Sequence, residues 1–130
     1  MSFTSQLKAF TDKTEKNGDK IFRGTVIGLF SKIIKRTPVK TGRLRGNWQT
    51  DINKPKVGEV SRLGQGAALS EVVSEAGKAR LGDSIYMVNN LPYAKAIEEG
   101  HSKIQAPVGM VRVTLIEFER ELKRQAQAVK

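Results

Sequence analysis

No helix can run through Thr37-Pro38-Val39-Lys40-Thr41-Gly42-Arg43-Leu44-Arg45-Gly46-Asn47-Trp48. Pro38 lacks a backbone donor, and its ring crowds the turn before it. Gly42 and Gly46 allow backbone angles that other residues avoid. Arg43 and Arg45 alternate with Leu44, which predicts an extended piece with one charged face. Trp48 then opens a run with strand character. The stretch reads as a basic hinge that ends a helix and starts a sheet.

Ahead of the hinge, Phe3, Leu7, Phe10, Ile21, Val26, Leu29, Phe30, Ile33 and Ile34 recur at three- and four-residue steps, which predicts helix from residue 2 to about 35. Asn17-Gly18 is its weak point. A continuous helix would be roughly 50 Å long. That is more than a small body covers, so its outer half would pack on another subunit. The alternative is two shorter helices folded on one core.

After the hinge, Trp48, Thr50 and Ile52 share one side of a strand, with Gln49 and Asp51 on the other. Asn53-Lys54-Pro55-Lys56 is a turn, and Val57 to Leu63 is either a partner strand or loop. Ala67 to Ala79 reads as a helix with the stripe Leu69, Val72, Val73 and Ala76, ended by Leu81-Gly82-Asp83. Ser84 to Asn89 is apolar on both faces, which predicts a central strand. Pro92 suits the first turn of a short helix from Tyr93 to Glu99, stopped by Gly100. After a loop over Ser102 to Ala106, Pro107 starts a last helix whose Val111, Leu115, Phe118 and Leu122 hold one face. The fold class is therefore α+β: a long N-terminal helix, a small, mostly antiparallel sheet with short helices, and a C-terminal helix packed beside the first. The 130 residues suit one domain, 1–130, divided at 1–36, 37–106 and 107–130.

The chain offers little chemistry. It has no cysteine, hence no disulfide and no thiolate metal site. Its single histidine, His101, lacks metal-ligand spacing, although Glu98 and Glu99 are close by. No nucleophile turn of the G-x-S-x-G kind and no phosphate loop occurs. No enzyme, cofactor or metal is expected. The N-terminus lacks a signal peptide's apolar block and no run reaches membrane-spanning length, so the expectation is a protein made in a cytoplasm, with no membrane partner. The formal net charge of +10 favours polyanions or acidic partners. Lys32, Lys35, Arg36, Lys40, Arg43 and Arg45 could track a phosphate backbone, with Trp48 near enough to stack. The other reading makes the charges a solvated face and Trp48 core.

The hinge resembles the "P-V-x-T-G-x-L-R" signature of a family of tailed-phage neck and tail-completion proteins, also described as head–tail joining or minor tail components. The run Val88 to Gly100 is similar to that family's "N-x-x-P-Y-A-x-x-x-E-x-G" motif, and His101-Ser102, then Gln105-Ala106-Pro107-Val108-Gly109-Met110-Val111, looks like its approach to the last helix. The resemblance covers about residues 35 to 118. It implies a virion protein forming a ring, commonly sixfold, between head connector and tail tube, in contact with both and with passing genomic DNA. Lys40, Arg43, Arg45, Trp48, Tyr93, Glu98 and Glu99 become candidates for the subunit interface or the DNA channel. Arg43 and Arg45 would point to a neighbour's carboxylates or to DNA, Tyr93 would anchor the short helix on the sheet, and Glu98 or Glu99 would partner an arginine. The competing class is an accessory protein that binds nucleic acid non-specifically through residues 32–45.

Overall fold

The computed structural model describes residues 3–39, 41–95, 111, 114 and 116–128. Helix α1 runs unbroken from Phe3 to Arg36, 34 residues, so the one-helix alternative holds. Gly18 does not break it. Leu81 lies against that position, where a Cβ would stand 2.5 Å from Leu81 Cδ1. The helix ends where proline requires. Thr37 closes it by donating its N–H to Ile34 O at 3.2 Å and its hydroxyl to Ile33 O at 2.7 Å.

The hinge itself differs from expectation. Arg43–Gly46 is a short helix, α2, and not an extended piece. Gly42, at φ 82°, reverses the chain into it. Gly46 is there for close approach, since a Cβ would sit 2.2 Å from Arg62 O.

Strand β1, Trp48–Ile52, pairs antiparallel with β2, Ile85–Asn89, in a two-stranded sheet, with Trp48 opposite Asn89 and Ile52 opposite Ile85. Val57 to Leu63 forms no strand. The expectation of a central β2 is corrected. Among the described residues its one neighbour is β1, and Tyr86 is exposed. An apolar run on both faces does not distinguish a central strand from an edge strand.

Helix α3, Gly66–Ala76, ends earlier than expected, at Gly77. Its buried face is Ala68, Val72 and Ala76, while Val73 is exposed. Small residues face inwards because α3 lies close to α1 and β1. The core is Ile33, Ile34, Trp48, Ala68 and Val72, edged by Ile27, Phe30, Leu69, Met87 and Val111.

Helix α4, Phe118–Ala128, packs on α1 as expected. Its orientation is not as expected. Phe118 and Leu122 are exposed, and Glu121 is the residue turned inwards. Ala94 and Lys95 are helical. The rest of the short helix to Glu99, its stop at Gly100, the Ser102–Ala106 loop and the Pro107 helix start lie outside the described residues.

Candidate interaction surface

The hinge is built by one arginine. Arg45 Nε and Nη2 both donate to Thr37 O, at 3.1 and 2.8 Å; Nη2 also reaches Lys35 O at 2.8 Å, and Nη1 reaches Gln65 Oε1 at 3.2 Å. Those carbonyls belong to the end of α1, where backbone acceptors lack helical partners and the dipole is negative. Trp48 Nε1 donates to Thr37 Oγ1 at 2.7 Å in a buried site. Asn47 ties the turn to the following loop, donating to Arg43 O and accepting from the Val60 N–H.

The outer edge of β1 is occupied by side chains. Glu71 Oε1 accepts the Thr50 N–H at 2.7 Å, and Arg62 Nη2 donates to Trp48 O at 2.7 Å. Lys56 and Arg62 complete the cluster on Glu71 Oε2 at 2.9 and 3.5 Å. Burial pushes the Glu71 carboxyl upwards, but the Thr50 N–H and the two cations outweigh it and hold it below the usual range. This edge is closed to strand addition.

Helices α1 and α4 are joined by charge. Lys32 Nζ lies 3.1 Å from Glu117 and 3.5 Å from Glu121; Arg36 donates to Glu117 Oε1 and to Thr114 Oγ1, each at 2.9 Å. Glu121, 2% exposed, also accepts from Arg124 and Gln125. Hydrogen bonds from Arg36 and Lys32 lower the Glu117 pKa to about 2. Burial raises that of Glu121, and Gln125, Arg124 and Lys32 more than offset it. Gly24 and Gly28 make room. A Cβ at Gly28 would stand 2.0 Å from Glu121 Oε1, and one at Gly24 2.2 Å from Gln125 Oε1. The clasp is a set of residues that sequence reasoning missed; the Gly24-x-x-x-Gly28 spacing, which opens one face of a helix, was its signal.

Beside the clasp lies an apolar groove of about 350 Å³, lined by Gly18, Ile21, Phe22, Thr25, Val26, Leu29, Leu81, Phe118 and Leu122. Leu81 is 59% exposed, Phe118 46% and Leu122 38%, which is a large share for apolar side chains on adjoining elements.

The expected site residues fall in different places. Arg43 is exposed and pairs with Glu59 at 2.6 Å within the chain. Arg45 and Trp48 are in the hinge. Tyr93 is exposed at 40%. Lys40, Glu98, Glu99 and His101 lie outside the described residues. Among the described residues no cluster of His, Cys, Asp or Glu could hold a metal ion, and no helix is long and apolar enough to cross a membrane.

The chain matches the family model HK97-gp10_like, described as "Bacteriophage HK97-gp10, putative tail-component", over residues 2–100. No curated protein and no solved structure matches.

Proposed function

Because the chain belongs to the HK97-gp10-like family of bacteriophage tail components, we propose that it is a ring-forming neck or tail-completion protein, set between head connector and tail tube around the DNA channel. Family membership makes it a structural protein of a phage tail, hence of the virion, in contact with other phage structural proteins. The ring, its sixfold symmetry and its place at the neck are the finer reading.

One observation supports that reading: the described side chains in the first half of α1 are not buried by the rest of the chain. Its 34 residues span about 51 Å. Among its described side chains, none before Thr25 is buried. A partner that covers the remainder would complete the fold, and repeated copies around an axis supply one. In this reading residues 1–130 act as one unit. Tyr93 and the exposed Arg43–Glu59 pair face outwards towards a neighbour, whereas Arg45 and Trp48 shape the hinge that presents them.

In the basic stretch 32–45, the engagement of Lys32, Arg36, Arg43 and Arg45 within the chain supports this reading over non-specific nucleic-acid binding. Lys32 and Arg36 are engaged with Glu117 and Glu121, Arg43 with Glu59, and Arg45 with carbonyls of its own chain. Cations already paired release few counterions on meeting phosphate.

The test is removal of the reading frame from the phage genome, followed by electron microscopy of the particles. Filled heads and unattached tails are the expected products. Infectious particles with joined tails of normal length would overturn the proposal.

A further inference from the structure

We infer that the outer edge of β2 takes an added strand, an extended apolar segment of a different, acidic protein of the tail. The register fixes which main-chain groups face that way. On β1 the Thr50 N–H donates to Glu71 and the Trp48 carbonyl accepts from Arg62, both away from β2. Trp48, Thr50 and Ile52 therefore point their main chain off the ladder, and so do their partners Asn89, Met87 and Ile85. The Asn53 N–H bond to Ser84 O, one step beyond Ile52 and Ile85, keeps the same alternation. Tyr86 and Val88 are left to bond β1. Ile85, Met87 and Asn89 present N–H and C=O to the open side. Among the described residues nothing meets the main chain of Ile85 or Met87 there.

The two strand edges are treated oppositely. That of β1 is capped by a carboxylate and a guanidinium. β2 carries none of the usual guards: Ile85–Asn89 has no proline and no charge, and its one-to-one pairing with β1 is unbroken by a bulge. The side chains beside the edge are apolar and incompletely covered. Ile85 and Met87 are half-buried on the core side, and Tyr86, on the other face, is 41% exposed. An incoming strand would pair the main chain and cover these side chains together, the first giving affinity and the second specificity.

Charge and supply decide whose strand it is. Each copy carries +10, which opposes a second copy and favours an acidic partner. Among the described residues a second copy has only its own β2 edge to offer. Its β1 edge is sealed, and its 57–63 stretch is tied down through Asn47 and Gly46. Pairing β2 with β2 would give a twofold dimer that consumes both edges. Family membership puts other tail proteins alongside. The inference rests on that membership and not on the ring.

The test uses whole phage particles. A benzophenone amino acid replaces Tyr86, and the peptides cross-linked on irradiation are identified by mass spectrometry. Met87→Pro is made in parallel. It removes an outward N–H and spares the ladder, which runs through Tyr86 and Val88; Met87→Leu controls for the side chain. The expected result is cross-linking to one extended segment of an acidic tail protein. Particles should also contain several-fold less Met87→Pro protein, with Met87→Leu unaffected and purified Met87→Pro still unfolding cooperatively. Cross-links to this chain, from another copy or from its own residues, overturn the inference. So do cross-links to a basic protein, no cross-links, or normal incorporation of folded Met87→Pro. If Met87→Pro does not fold, the cross-link decides alone.

Discussion

The Trp48 indole N–H meets Thr37 Oγ1 at 2.7 Å, and the same hydroxyl donates to Ile33 O at 2.7 Å. A single buried threonine thus joins the first residue of β1 to the last turn of α1. Thr37→Val keeps the shape and removes the acceptor, stranding a buried donor. It should cost about 1–3 kcal/mol, read as a lower urea midpoint, while Thr37→Ser should recover most of the loss.

Arg45 and Arg43 are two residues apart and should behave oppositely. Arg45 bridges Lys35 O, Thr37 O and Gln65 with a planar fork that lysine cannot reproduce. Arg45→Lys should destabilise by about 1–3 kcal/mol. Arg43 forms one exposed ion pair, and Arg43→Lys should shift stability by less than about 0.5 kcal/mol. Thermal unfolding of the two variants makes the comparison.

The two glycines under α4 should also separate. Gly24→Ala displaces the tip of Gln125, a partly exposed and flexible side chain, and should gain up to about 1 kcal/mol of helix propensity. Gly28→Ala meets Glu121, which is buried and held by Lys32, Arg124 and Gln125. Unseating that carboxylate should outweigh the propensity gain and leave a net loss of about 1–2 kcal/mol. Chemical denaturation of both variants checks the sign.

Acid should loosen α4. The Glu117 pKa falls from the usual 4.5 to about 2 in the folded protein. A depressed carboxylate stabilises fully above its unfolded value and loses that contribution as pH falls towards its folded value. The protection of the amides of residues 118–128, measured as exchange relative to the intrinsic rate at each pH, should be steady from pH 8 to 5 and fall from 4.5 down to about 2. Glu117→Gln should be less protected at neutral pH and lose part of this dependence, Glu121 supplying the remainder.

Local chemistry was readable in the sequence, and facing directions were not. Pro38 and Gly42 marked the end of α1 and the reversal after it because each acts through its own backbone. The helical period of α1 was visible along its length. The buried face of α3 was legible at Leu69, Val72 and Ala76 and misread at Val73, because apolarity ranked it above Ala68, while the close approach of α1 and β1 favoured alanine. The face of α4 was misread for a related reason. Gly24 and Gly28 open a trough that admits Glu121, so Phe118 and Leu122 turn outwards. The Lys32–Glu117 and Lys32–Glu121 pairs join residues 85 and 89 positions apart, and no local pattern announces such a partner. The groove inherits the second misreading, because Phe118 and Leu122 line it.

The most direct test is the solution mass of the purified protein, by light scattering, at low and at high salt. Apolar helix docking does not depend on unscreened charge. The mass should therefore be that of several subunits at both salt concentrations, with duplex DNA making no difference to it. A monomer at both, with a DNA affinity that falls steeply as salt rises, would contradict the ring and return the basic stretch to nucleic acid.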